Sequence, residues 1–423
     1  MFQAPRGTRD ILPAESPAWR HLESEALAMA ARFGYQEIRT PTFEDAALFL
    51  RGVGEGTDIV DKEIYRFLDK GGADVALRPE ATAAVMRAYL QHGMGSLPQP
   101  VRLSSILTVF RYDRPQAGRY REFRQFNIEA IGDPDPLVDA EVIAILWRYL
   151  EGLGLRGLKI LLNSIGDGTD RPHFIAALVA HYGARRDLIC HDCQRRLETN
   201  PLRLLDCKNS RCQESIATAP RTLDYLSAEN ERHFSMLRRY LDGMELHYEI
   251  TPTLVRGLDY YTRTVFEVVP PSVGAQSTIG GGGRYDGLAE QVGGKPTPGV
   301  GFATGLDRIL LNLREQALWL PEEDTVYVFF AAMGDAAKAE AAIQADRARR
   351  AGLRVMVGTG DRGMKARMRQ ADASQARLAV IIGDDELASQ QATVRDLSSR
   401  AQEQIPLNGL VERLVATKGE GLA

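Results

Sequence analysis

Apolar positions recur at helical spacing between residues 16 and 34, where Trp19, Leu22, Ala26, Met29 and Phe33 share one face. Ser16 as N-cap, Pro17 behind it and Gly34 at the far end frame a predicted helix. Tyr35 to Thr40 continues as a strand that Pro41 stops. From about 101 to 131 the period switches to two, giving two strand-like runs joined by the polar loop 113–119 and hence a long antiparallel hairpin. A charged, mostly helical stretch from about 165 to 245 holds every cysteine, after which strand-like segments resume at 253–269 and glycines cluster at 280–283. Helices interrupting a sheet pattern predict an insertion within a sheet domain.

Past the linker Leu320-Pro321-Glu322-Glu323 the pattern alters to TVYVFFAAM, an alanine-rich helix from Asp335 to Gly352, LRVMVG, another helix and LAVIIG. Strands alternating with helices predict a small α/β domain with a largely parallel sheet. The expected organisation is α+β: an antiparallel-sheet domain over 1–322 carrying a helical insertion at about 165–245, then a smaller α/β domain over 323–423.

Composition narrows the function classes. The 423 residues exceed one ordinary core, and 44% hydrophobic with 26% charged residues are globular values. A net charge of -4 excludes a polybasic nucleic-acid binder, so any contact with nucleic acid must be local. The opening MFQAPRGTRDILP lacks an apolar h-region and no later stretch reaches membrane-span length, which predicts a cytoplasmic protein without membrane contact.

No GxxxxGK[ST] is present, so a bound nucleotide is not held by a P-loop. GVGEG at 52–56 and GVGFATG at 299–305 lack dinucleotide-fingerprint spacing and read as turns. In the second hairpin strand Arg121, Phe123, Gln125, Asn127 and Glu129 point one way while Glu122, Arg124, Phe126, Ile128 and Ala130 point the other. On pattern alone the polar row is a solvated face. Arginine density argues otherwise: Arg111, Arg114, Arg119, Arg121 and Arg124 crowd this hairpin, and guanidinium forks bind phosphate oxygens and stack on planar bases.

FRYDRPQAGRYREFRQFNIEAIG at 110–132 resembles motif 2 of the class II aminoacyl-tRNA synthetases, GYQEIRTPTFE at 34–44 motif 1, and GLDRILL motif 3. LVRGLDYY at 254–261 is similar to the signature peculiar to the histidyl-tRNA synthetase family, with LRPEAT at 77–82 and GGGGRYDG at 280–287 in the matching order. GLRVMVG and AVIIGDDEL resemble that family's anticodon-binding module. The resemblance implies a class II catalytic domain plus an anticodon-binding domain, acting as a histidine–tRNA ligase on L-histidine, ATP with Mg2+, and tRNA(His). Motif 1 implies a homodimer. The family also includes an alternative, a non-catalytic paralogue that regulates ATP phosphoribosyltransferase.

Carried over residue by residue, the resemblance makes Arg111, Arg256 and Arg308 the catalytic cations. Arg111 would face the α-phosphate, Arg256 the opposite side, and Arg308 the distal phosphates. Phe123 and Arg308 would sandwich the adenine and Arg119 touch the triphosphate tail; Asp113 holds an ATP-site position where the family often has glutamate, and Ala81 one where it often has glycine. Glu80, Thr82 and Gln125 would surround the histidine ammonium, Glu129 and Tyr261 the imidazole, with Tyr260 and Tyr285 lining the pocket. Taken alone, Glu80 could instead cap the helix after it, and the glycine tract could make a tight bend or admit close backbone approach. A pocket that bonds both ring nitrogens needs no editing domain.

Cys190, Cys193, Cys207 and Cys212 form CxxC and CxxxxC pairs, which suit a structural zinc or stand as free thiols. His191 between the first pair reads as solvated. Arg347, Arg349, Arg350, Arg354, Arg362, Lys365, Arg367 and Arg369 form a basic group suited to tRNA, with Arg362, Lys365 and Arg367 the expected contacts, or a solvated helix face.

Overall fold

A computed structural model describes residues 2–53, 59–116, 118–271, 278–321, 326–360 and 362–420. Residues 54–56 of GVGEG, Ala117 of the hairpin loop and Glu322–Glu323 of the expected linker lie outside the described residues. The chain divides into two compact units, Met1–Pro321 and Glu322–Ala423.

The first unit opens with the helix Ser16–Arg32, in which Pro17 occupies the first turn and Glu15, not Ser16, stands at the N-cap. Gly34 follows with φ +79°, a left-handed conformation that glycine adopts without steric cost. The strand expected over 35–40 shortens to β1 (Gln36–Glu37), paired parallel to the hairpin. Next come β2 (Phe43–Asp45), β3 (Tyr65–Leu68) and β4 (Asp74–Leu77), which form a separate three-stranded sheet in the order β2-β4-β3. The hairpin is β5 (Val101–Phe110) and β6 (Glu122–Ile131), in continuous antiparallel register from Val101↔Ile131 to Phe110↔Glu122.

β7 (Lys159–Ser164) and β8 (Tyr248–Ile250) pair parallel, and the helical segment lies between them in sequence. β9 (Thr262–Val269), β10 (Gly280–Arg284) and β11 (Gly299–Gly305) complete an eight-stranded sheet in the order β1-β5-β6-β11-β10-β9-β7-β8. One face is greasy: Phe126, Ile128 and Ala130 of β6 and Val300 and Phe302 of β11 pack in one core with Trp19, Leu22, Ile143, Leu146 and Ile309 from helices Ser16–Arg32, Pro136–Gly152 and Leu306–Glu315. The opposite, polar row of β6 is therefore held rigidly on the other side of the sheet.

Two segments read as turns or bends are strands. GVGFATG is β11, and the four glycines at 280–283 sit inside β10 between β9 and β11. Their lack of side chains serves close strand contact: a Cβ on Gly281 would lie 2.6 Å from the Phe266 carbonyl oxygen.

In the second unit β12 (Val328–Ala332), β13 (Val355–Val357), β14 (Leu378–Ile382), β15 (Gln391–Asp396) and β16 (Gln402–Pro406) run in the order β13-β12-β14-β15-β16. The expectation of a largely parallel sheet needs correction, because β13, β12 and β14 are parallel while β15 and β16 add antiparallel. A turn too short for a helical crossover joins the last two strands, and their alternate burial is that of a hairpin. Helices Asp335–Arg350 and Leu410–Glu420 cover one face and Met364–Ala373 the other.

Candidate active site

A cavity of about 620 Å³ opens on the polar side of the large sheet. Eleven of the residues named above for ATP and histidine line it together with Arg308: Glu80, Thr82, Arg111, Asp113, Arg119, Phe123, Gln125, Arg256, Tyr260, Tyr261 and Tyr285. The polar row of β6 is thus not a solvated face; Gln125, Asn127 and Glu129 are all buried. Arg114, Arg121 and Arg124 are not in the lining. Arg121 lies 3.8 Å over the Tyr112 ring and donates to the Asp113 carbonyl at 3.2 Å, bracing the loop, while Arg124 pairs with Glu23 on the far side.

The arginine wall is built from three elements. Arg111 leaves the end of β5, donates from Nε to the Pro79 carbonyl at 2.8 Å and stands 5.7 Å from the Phe123 ring centre. Burial pushes its pKa down. Arg308, on the helix Leu306–Glu315, donates to the Thr278 carbonyl at 2.6 Å. Burial lowers its pKa too, and Arg119 and Arg111 nearby push it the same way. Arg256 precedes β9 and pairs with Glu267, whose second oxygen accepts from Thr278 Oγ1 at 2.7 Å. Burial opposes the Arg256 charge most strongly, but Glu267 and Tyr261 together outweigh it and raise the pKa. Arg119 pairs with Asp113, so the shorter acid at that position is engaged with the loop's own cation.

Below this wall lies a carboxyl recess. Glu129 does not line the cavity itself; it sits beneath, accepting from Thr82 Oγ1 at 2.7 Å and from the Tyr285 hydroxyl. Burial pushes its pKa up to about 8, with the two hydrogen bonds working against that rise. Gly301 of β11 is directly opposite in the ladder, and a Cβ there would collide with a Glu129 carboxyl oxygen. Glu80 accepts the backbone N–H groups of Thr82 at 2.6 Å and Ala83 at 2.9 Å, so it does cap the helix Thr82–Gln91 while facing the cavity. The Gln125 side-chain oxygen and Arg256 Nε are buried without a partner among the described residues, an acceptor and a donor at the wall of an open cavity.

Models of two families match, one described as histidyl-tRNA synthetase over residues 7–309 and one as anticodon binding domain over 325–417. The histidine–tRNA ligase of Dehalococcoides mccartyi is 49% identical over 97% of this chain and 98% of its own length. The chain belongs to the histidyl-tRNA synthetase family. A Geobacillus thermodenitrificans histidine–tRNA ligase is 46% identical over 98% of both chains. The structure of apo S. aureus histidyl-tRNA synthetase superposes with a TM-score of 0.83 at 39% identity, covering 98% of this chain and all of that one. The fold is therefore that of a histidyl-tRNA synthetase, with catalytic and anticodon-binding domains.

Several wall residues escape sequence reasoning. Glu267 and Thr278 hold Arg256 in place; Glu267 left one signal, a lone charge in the apolar run VFEVV. Arg9 donates to Asp307 of the lining at 3.2 Å and stacks 5.0 Å from Tyr120, tying the N-terminal segment to the site. Asp206 and Lys208, from the helical insertion, also reach the cavity. The four cysteine sulfurs converge in the same insertion, all within 4.8 Å of one another, with Cys207 between Asp206 and Lys208, while His191 is exposed. In the second unit Arg362, Lys365 and Arg369 are exposed, but Arg367 is not available as a tRNA contact. It is buried, donating to the Gly360 carbonyl at 2.8 Å and shoring up its own loop. Charge pattern alone cannot tell which side of a helix faces inward.

Proposed function

We propose that this cavity joins L-histidine to ATP, giving histidyl-adenylate and diphosphate, and then passes the histidyl group to tRNA(His) with release of AMP. The observation carrying the reading is the convergence of Arg111, Arg119, Arg256 and Arg308 on one cavity above a buried carboxyl recess. In the activation step a histidine carboxylate oxygen bonds to the α-phosphorus and the bond to diphosphate breaks. Negative charge grows on the phosphoryl oxygens, and fixed guanidinium charges placed in advance lower that barrier. The lowered pKa values of Arg111 and Arg308 mark cations whose burial outweighs the carboxylates near them, Glu63 and Glu80 at Arg111 and Glu267 and Asp113 at Arg308, a cost that a polyphosphate would relieve. Arg111 then serves the α-phosphate, Arg256 its other side, and Arg119 and Arg308 the tail, with Phe123 and the Arg308 plane on the adenine. Mg2+ would accompany the triphosphate, held chiefly by phosphate oxygens, because Glu267 is engaged with Arg256 and Thr278 and Asp113 with Arg119.

Glu80, Thr82 and the unpartnered Gln125 oxygen supply acceptors for the substrate ammonium. Tyr261, in the lining, takes one ring nitrogen, and Glu129 reaches the other from the recess beneath by exchanging its Thr82 or Tyr285 bond for one to the substrate. A carboxyl with its pKa pushed up to about 8 can donate or accept, matching either nitrogen of a neutral imidazole. Tyr260 and Tyr285 close the pocket, their rings 5.9 Å apart. The second reading, a regulatory paralogue, is opposed by Arg111, Arg256 and Arg308 all standing in the cavity and by the anticodon-domain match. A homodimer is supported by Phe43, Phe67 and Leu68, apolar and exposed on the small sheet β2-β4-β3. No helix of the described residues is long and apolar enough to cross a membrane, and an activity that serves protein synthesis supports a cytoplasmic location.

Histidine-dependent ATP–diphosphate exchange tests the reading. The intact protein should exchange, and Arg256→Ala should lose about 100- to 1000-fold, the usual toll of one preorganised charge donor. Absence of exchange in the intact, folded protein would overturn it.

A further inference from the structure

Among the described residues, the sulfurs of Cys190, Cys193, Cys207 and Cys212 are the one cluster of three or more side chains spaced to hold a metal ion. Three of the four are buried, and none is in a disulfide. Cys190 Sγ and Cys207 Sγ stand 3.8 Å apart. A disulfide would need about 2.05 Å. With Zn–S bonds of about 2.3 Å, the edge of a tetrahedral tetrathiolate is about 3.8 Å, the separation seen here. The backbone is arranged as around a metal-bound thiolate pair: the Cys190 N–H donates to Cys212 Sγ at 3.2 Å, and the Cys193 N–H donates to Cys190 Sγ. Cys190 stands at the N-cap of the helix His191–Thr199, whose positive end favours thiolate.

The cluster has a mechanical consequence for the cavity. Cys207 is flanked by Asp206 and Lys208, both of which line the active-site cavity, and these two are ion-paired at 2.9 Å. The hydrophobic core beneath them is the same one that holds Tyr260, Tyr261 and Tyr285. We propose that the four cysteines bind one Zn2+ as thiolates and that this metal holds the Asp206–Lys208 wall of the cavity in place. On binding, the four thiols give up their protons to solvent and four S–Zn bonds replace the ion's hydration shell, with no change of oxidation state. Tetrahedral S4 donor sets select zinc, with iron as the competing metal.

The full-length protein, purified without chelator and dialysed, should carry about one zinc per chain by inductively coupled plasma mass spectrometry. Cys193→Ser/Cys207→Ser should carry almost none, and Lys208→Ala should keep it. Should the cysteine variant fail to fold, Co2+ reconstitution of the chelator-stripped native sequence gives the answer: visible ligand-field bands of tetrahedral thiolate cobalt, bleached by added Zn2+, are expected. Well under one zinc per chain after zinc incubation, octahedral cobalt spectra, or iron as the bound metal would each overturn the site. The metal measurements are independent of the catalytic reading, on which only the last arm rests. Stripping zinc should raise KM for ATP severalfold more than it lowers kcat, and zinc-replete Lys208→Ala should reproduce that shift. Unchanged KM in both would overturn the role at the wall while leaving the exchange activity of the intact protein as evidence for the function.

Discussion

Burial raises the Glu129 carboxyl to about 8 from an ordinary 4.5, the bonds from Tyr285 and Thr82 notwithstanding. In the unfolded chain the same group ionises near 4.5, so between these values the folded state holds a proton the unfolded state has lost. Its contribution to stability is fully present below about pH 4.5 and drains away as pH rises towards 8. Glu129→Gln keeps an acceptor for Thr82 but cannot ionise, so its thermal midpoint should change less between pH 5 and 8 than that of the native chain; parallel slopes by calorimetry would refute the assignment. Such residues were legible because strand alternation puts 125, 127 and 129 on one side whatever lies there. Glu267, Thr278 and Arg9 were not, since their importance comes from contacts made only in the fold, with Asp307 for Arg9 and across the β9–β10 connection for Glu267 and Thr278, that no local period signals.

At the level of elements, β10 shows how neighbours decide a strand. Four glycines have no strand propensity of their own, yet β9 and β11 pair with every one of them. Reading GVGFATG as a turn failed for the same reason, and the glycine at 301 is there to leave room for the Glu129 carboxyl. Arg284 ends β10 fully buried, bonded from Nε to Asp139 at 3.1 Å and from Nη1 to the Asp133 carbonyl at 3.0 Å, so it joins the strand to the helix Pro136–Gly152. Removing one partner of such a pair strands the other charge out of water. Arg284→Ala should therefore cost about 3–5 kcal/mol in urea unfolding of the catalytic unit, with Asp139→Asn/Arg284→Met costing less than the single change. Equal losses in both would argue against the pair as the cause. Long periodic segments such as the hairpin and the helix at Ser16–Arg32 were legible, whereas the final antiparallel pair β15 and β16 was hidden by the strand–helix alternation before it.

At the scale of the whole molecule, the cavity lies within the first unit and the anticodon-binding-domain match within the second, so exchange and tRNA charging can be tested apart. Neutralising Arg362, Lys365 and Arg369, the exposed cations around the helix Met364–Ala373, should lower kcat/KM for tRNA charging by about tenfold or more, with a reduced salt dependence. Histidine-dependent exchange should stay at the native level, and equal loss of both would count against a tRNA role for that patch. The two-unit division announced itself in sequence through a change of period, while the reach of the insertion to the active-site wall did not. That insertion leaves the large sheet at β7 and comes back at β8, its parallel neighbour and the outermost strand. Residues between these strands can be lengthened, shortened or recoded without breaking a rung inside the ladder. A lineage is thus free to vary the outer parts of this appendage without touching the strand pairing, while Asp206, Lys208 and Arg171, which reach the cavity or the backbone of Tyr261, tie it to the reaction centre; the boundaries at Ser164 and Tyr248 are where a chimera of two relatives should be cut.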